Sequence, residues 1–206
     1  MRNLIISGCM NIIKDSDLGH NEVKLAEIKY GLESIYLLIS KLIIIFALAA
    51  FLNAIKELII FLFLYNLIRM PSFGLHATKS WICLVSSTII FIGGMYISLI
   101  FTLPIYMKVF LGIYAIIRLC MNAPADTHKK PIVSKKRREI YKFLTTILAI
   151  VMVFTSLFIT DHFISNSLIM VLIIQTFMTS KIIYKFFNLP YDNYKEYILK
   201  NGLNKI

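Results

Sequence analysis

Apolar residues in this chain gather into long unbroken runs instead of returning at every third or fourth position. Six such runs stand out, over residues 35–52, 58–68, 81–103, 105–121, 143–160 and 165–180. Continuous apolar runs of this length predict helices that are apolar on every side, as lipid-embedded helices are. Lys41 interrupts the first run, and Pro104 separates the third from the fourth, predicting a tight turn between antiparallel helices. Residues 122–139 form a polar loop, and Asp161-His162 is the short break between the last two runs. Residues 181–206 are aromatic and basic, a composition suited to the membrane interface, and Pro190 ends any continuous helix there.

Composition turns this pattern into a fold class. The 206 residues are 58% hydrophobic, and the mean hydropathy of +0.76 excludes both an ordinary soluble domain and a disordered chain. The expectation is an all-α integral membrane protein with about six transmembrane helices. It forms one membrane domain over 1–206: an interfacial segment at 1–34, the spans at 35–180 and an interfacial tail at 181–206.

The net charge of +11 would point to nucleic acid in a soluble protein. Here it reports loops facing an anionic cytoplasmic leaflet, and no nucleic-acid partner is expected. If all six runs cross with the N-terminus inside, 19 lysines and arginines fall on the cytoplasmic side against Lys56 alone outside. Making the short second run re-entrant leaves 4 inside and 16 outside, which the positive-inside rule rejects. Both termini are therefore expected in the cytoplasm, with a thin or tilted second span.

Cysteine use is sparse. Cys9, Cys83 and Cys120 are odd in number and unpaired in spacing, so no disulfide framework is expected. Ile6-Ser7-Gly8-Cys9 looks like a lipoprotein cleavage box, but the apolar stretch before it is too short for one. No cleavable signal is evident, so the first span itself acts as the insertion signal.

The connection between the second and third runs holds the one close histidine and cysteine pair, His76 and Cys83. On an unbroken helix, residues seven apart are separated by about 10.5 Å of rise, too far for the imidazole to take the thiol proton. The pair works if the helix begins between them, with Ser80 as N-cap, Cys83 in the first turn and His76 folding back from a loop that Gly74 makes permissive. A helix N-terminus and an imidazole both favour thiolate, and unpaired first-turn N–H groups stabilise an oxyanion. That chemistry is a Cys-His hydrolase or acyl transferase. Against it, a lone cysteine at a membrane edge is more often a packing residue and a loop histidine a solvated one.

Other groups offer less. His128 and His162 fall on opposite sides of the membrane, and His76, Cys83 and His128 lack zinc-ligand spacing, so neither metal nor cofactor is expected. Cys120 reads as structural, and Lys41 and Lys108 as snorkelling cations. In the loop Ala123-Pro124-Ala125-Asp126-Thr127-His128-Lys129-Lys130-Pro131, Asp126 sits between two prolines, and Lys129 and Lys130 lead into the basic run 135–138. A topogenic role accounts for the charge run; a rigid positive loop beside His76 and Cys83 would also hold an acidic peptide.

With both loops in view, the chain resembles the AgrB family, membrane cysteine endopeptidases that process the propeptides of bacterial cyclic autoinducers in quorum sensing. The resemblance rests on Tyr30-Gly31-Leu32, on Arg69 with Gly74-Leu75-His76-Ala77 and Cys83, and on Ala123-Pro124-Ala125-Asp126-Thr127 followed by Lys130-Pro131. It implies Cys83 as nucleophile and His76 as its base, Arg69 and Gly74 as further positions needed for processing, and Lys129 and Lys130 as part of a stretch that handles the peptide. The family often has two glycines before the histidine; Leu75 stands in the second place here, a departure that bears on loop shape and peptide preference. By the same resemblance the substrate is an AgrD-like propeptide, cut through an acyl-enzyme that an internal Cys or Ser of the peptide displaces to close a thiolactone or lactone. Membrane lipids are the other expected partner, and a homodimer is compatible with the sequence.

Two other classes remain open from the residues alone. A small transporter or permease subunit would show charges recurring at mid-span or an internal repeat, and neither is seen. A scaffold without catalysis differs from the enzyme by the effect of Cys83→Ala on propeptide cleavage.

Overall fold

The computed structural model describes residues 6–8, 10–11, 13, 22–75, 80–126 and 131–200. They are helices joined by short connections, and the chain divides into two compact units at Leu52 and Asn53. The first unit contains helix α1 (Glu22–Phe51), 30 residues and about 45 Å long at 1.5 Å per residue, more than a hydrocarbon core requires.

The second unit begins with α2 (Ile55–Ser72), whose apolar stretch lies between Glu57 in the first turn and Arg69 in the last. Helix α3 (Ser80–Thr88) passes through a π-helical turn (Ile89–Gly93) into α4 (Gly94–Ile100). Pro104 then sits at the N-cap of α5 (Ile105–Asn122), where its missing N–H leaves no helical bond unmade, as the turn reading expects. Helix α6 (Lys135–Phe158) absorbs the basic run into its first turns, and α7 (His162–Met178) is capped by Asp161, whose carboxylate accepts from the Ile164 N–H at 2.9 Å. Two short helices close the chain, α8 (Lys181–Phe186) and α9 (Asn193–Lys200), with Pro190 between them.

Helix α7 is the core of this unit. It packs against α2, α4, α5 and α6, and Leu168, Ile169, Val171 and Leu172 are buried among them. Close approach elsewhere depends on small residues: a Cβ on Gly112 of α5 would stand 2.7 Å from a methyl of Val153 on α6. The opposite faces carry exposed apolar side chains such as Phe110, Phe143, Phe154 and Ile113, which suits lipid and not water. The chain is an all-α membrane protein. Among the described residues, four segments are long and apolar enough to cross a bilayer, Lys24–Phe51, Trp81–Ile100, Ile105–Asn122 and Lys135–Phe158, and α7 is a shorter apolar helix.

Two polar devices sit inside this apolar frame. Asn166 of α7 donates to the carbonyls of Ser98 (3.2 Å) and Phe101 (2.5 Å) and accepts from the Leu103 N–H (3.3 Å), satisfying backbone groups freed where α4 ends. Lys108 overturns the snorkelling expectation. It is buried, its ammonium donates to Ser165 Oγ at 2.7 Å, and Ser165 Oγ donates in turn to the Ser156 carbonyl at 2.5 Å. Lys108, in the first turn of α5, thus ties that helix to Ser165 in the first turn of α7.

Candidate functional site

The site is built from the end of α2 outward. After Ser72 the chain leaves helical geometry: Phe73 has φ +56° and Gly74 φ +116°, a region in which only glycine rests without strain. Arg69, one turn earlier, fixes that turn. Its Nη1 donates to the Phe73 carbonyl at 2.6 Å, and its Nη2 donates to those of Gly74 (3.2 Å) and Leu75 (2.7 Å). A planar guanidinium can spread donors over three successive carbonyls; an ammonium presents a single point.

The turn is also tied to two distant segments through its backbone. Ala125 N–H donates to the Ser72 carbonyl (3.0 Å), Gly74 N–H to the Ala125 carbonyl (2.8 Å) and Leu75 N–H to the Met178 carbonyl at the end of α7 (2.9 Å). Phe73 and Ala125 thus pair as a one-residue parallel bridge. Gln175 Nε2 adds bonds to Ser72 Oγ and the Phe73 carbonyl, both 2.6 Å. Gly74 has no room for a side chain, since a Cβ would meet Arg69 Nη1 and lie 2.8 Å from the Met178 carbonyl oxygen.

The second loop is clamped as firmly. Its Ala123-Pro124 peptide is cis, and Asp126, 2% exposed, faces inward. Asp126 Oδ2 accepts from the N–H groups of Tyr194 (3.1 Å) and Ile132 (3.3 Å) and from Arg138 Nη1 (3.4 Å). Its main-chain carbonyl accepts from Tyr184 Oη (3.2 Å) and Asn193 Nδ2 (3.3 Å). The Arg138 guanidinium also lies 3.6 Å from the centroid of the Tyr194 ring.

Burial pushes the Asp126 carboxyl above its ordinary value and outweighs the Arg138 charge and the two N–H donors that favour the carboxylate. Burial likewise raises Tyr184 well beyond the ordinary phenol range and Tyr191 to about 12, so both phenols are neutral donors. Tyr191 Oη donates to the Asn122 carbonyl at 3.1 Å.

Of the residues singled out from sequence, Arg69, Gly74 and Asp126 are thus parts of one clasp that joins the two loops. All three hold backbone; the burial of Asp126 makes it a positioning residue. His76, Lys129 and Lys130 lie outside the described residues. Cys83 is half-buried and sits in the first described turn of α3, whose described portion starts at Ser80, so Ser80 is helical and not the N-cap expected. Its carbonyl accepts from Ser86 Oγ (3.3 Å), and among the described residues no hydrogen bond joins Cys83 to the clasp. Cys120 is half-buried on α5.

Gln175, Tyr184, Arg138, Asn193 and Tyr194 were not anticipated as site residues. Gln175 carried a signal, a lone amide in an apolar run, but the tail residues did not, because tyrosine and asparagine also suit a membrane interface.

The family model of AgrB, Accessory gene regulator B, matches residues 7–179. An AgrB-like protein of Clostridium acetobutylicum is 31% identical over 175 residues, covering 85% of this chain and 84% of that one. An AgrB-like protein of Listeria innocua is 28% identical over 186 residues (89% and 88%), and the accessory gene regulator protein B of Staphylococcus aureus is 30% identical over 144 residues (68% and 76%). No solved structure matches.

Proposed function

Given that the chain belongs to the AgrB family, we propose that it is a membrane-embedded cysteine endopeptidase that cleaves an AgrD-like propeptide through an acyl-enzyme on Cys83. The observation that carries this reading is the clamped turn Phe73–Leu75, held by Arg69, Gln175 and Ala125, with Cys83 half-buried on α3 eight residues beyond it. In the proposed reaction His76 takes the thiol proton, and the thiolate adds to a peptide carbonyl of the substrate. The tetrahedral intermediate collapses as His76 returns the proton to the departing amine, freeing the C-terminal fragment. An internal Cys or Ser of the peptide then attacks the thioester and returns Cys83 as thiol, closing a thiolactone or lactone. Because a ring thioester keeps the acyl activation that hydrolysis would lose, the site must exclude water, which the lipid-facing surroundings of α3 favour.

In this reading all six apolar runs cross the cell membrane, the two loops and both termini face the cytoplasm, and Lys129 and Lys130 receive the acidic part of the propeptide. The test is cleavage of a co-expressed propeptide, followed by mass analysis of the products. Cys83→Ala should abolish cleavage while the protein still inserts, and Cys9→Ala and Cys120→Ala should cleave normally. Robust cleavage by the Cys83→Ala protein ends the cysteine-protease reading.

A further inference from the structure

At the end of α5 and the start of α6 a cavity of about 460 Å³ opens behind the clasp. Four cations line it, Lys135, Arg138, Lys142 and Lys181, against the carboxylates of Glu139 and Asp192. Asp192 is already paired with Lys195 (2.9 Å) and Arg138 is held by Asp126. Lys135 and Lys142 make no ion pair among the described residues. The cavity floor adds Asn122, 8% exposed, whose Nδ2 donor has no acceptor among the described residues. One turn below on α5, the buried Nε of Arg118 is likewise without an acceptor. Lys135, Lys142, Lys181 and the Asn122 donor thus face a single carboxylate outside any ion pair among the described residues, Glu139, an excess of positive charge and donors that suits an anion.

The level of the cavity identifies the anion. Lys142 is the last charged residue of α6 before its apolar run, and Asn122 the last residue of α5, so the cavity lies where both helices leave the hydrocarbon. Its lining includes the apolar side chains of Met121, 66% exposed, and Ile198. A free phosphate or a soluble carboxylate has no use for that apolar flank. A phospholipid has: its phosphate fits the donors and its acyl chains the flank.

We propose that this cavity binds the headgroup of an anionic phospholipid, with the phosphate between Lys135, Lys142, Lys181 and Asn122 and the chains leaving along Met121 and Ile198. The site does not depend on the protease reading. It does bear on the clasp, because Arg138, Tyr191 and Tyr194 line the cavity and also hold Asp126 or the end of α5.

The test is native mass spectrometry of the full chain, extracted in mild detergent and offered phosphatidylglycerol or phosphatidylcholine. The expected result is one phosphatidylglycerol retained in preference to phosphatidylcholine. Replacing the lysines together (Lys135→Gln, Lys142→Gln, Lys181→Gln) should reduce that preference roughly ten-fold or more, and the three Lys→Arg changes should keep it. Helical circular dichroism confirms the fold; if the triple variant fails to insert, Lys142→Gln alone is measured and should lose preference several-fold. Equal retention of both lipids, or undiminished preference in the Gln variants, overturns the proposal. Displacement of the lipid by millimolar inorganic phosphate marks a simple anion site and overturns the lipid assignment, as does retention of an acidic peptide in place of phosphatidylglycerol.

Discussion

Arg69 does its work on the main chain of its own loop, and this decides what a substitution there does. An Arg69→Lys side chain keeps the charge but reaches one of three carbonyls. Hydrogen bonds to charged groups are worth about 1.5–3 kcal/mol each, so the turn should loosen while the helices persist. We expect propeptide cleavage to fall at least about ten-fold with unchanged helical content and membrane yield; cleavage at the wild-type rate would show that the turn's shape is set by Gly74 and Gln175 alone. Asp126 carries a prediction about pH. Its folded pKa is raised, so the fold favours the protonated carboxyl; the stability this contributes is full below the unfolded pKa and is lost as pH rises through the folded one. Asp126→Asn is neutral throughout. Its stability relative to wild type in detergent should therefore improve as pH rises from about 4 to 7, and the opposite slope in thermal unfolding would mean that the Arg138 pairing outweighs burial.

Helix α5 carries two tests of how the bundle is packed. Gly112 lets α5 and α6 touch, and a branched side chain there runs into Val153; Gly112→Val should cost about 1–3 kcal/mol, seen as a lower unfolding temperature with normal insertion. Lys108 behaves differently because its charge is buried against a hydroxyl and not a carboxylate. Removing the cation with Lys108→Met should be neutral or stabilising, whereas Ser165→Ala, which strands the ammonium, should destabilise more. A Lys108→Met protein less stable than Ser165→Ala would refute that ordering.

At this scale the sequence was most legible. Each apolar run marks a helix, because lipid imposes apolar surface over a full span. The ends were harder: α6 begins eight residues before its apolar run, since the basic residues 135–142 are good helix formers with no lipid to mark them.

Across the whole molecule, the sequence carried Arg69, Gly74 and Asp126 as members of two loops but not the bonds between them. Those bonds are backbone groups 50 to 100 residues apart, such as Gly74 to Ala125 and Leu75 to Met178, and a main-chain donor leaves no mark in residue type. The tail was read as interfacial because its tyrosines fit both an interface and a clasp. If Lys129 and Lys130 hold acidic substrate, the double Lys129→Gln, Lys130→Gln protein should process limiting propeptide several-fold more slowly, with unchanged alkylation of Cys83; exposed pairs contribute only about 0–1 kcal/mol each. Normal processing would leave that stretch with its topogenic role alone.

The central position of α7 also has a consequence for biosynthesis. The turn after α2 emerges early from the ribosome, yet its partners Gln175 and Met178 are made about a hundred residues later, and Tyr184 and Tyr194, which secure its neighbour, later still. A nascent chain halted between Cys83 and α7 contains Cys83 without the support that shapes the turn before it. Under the proposed protease reading, completion of translation acts as an arming step, and a truncated product is left inert in the membrane.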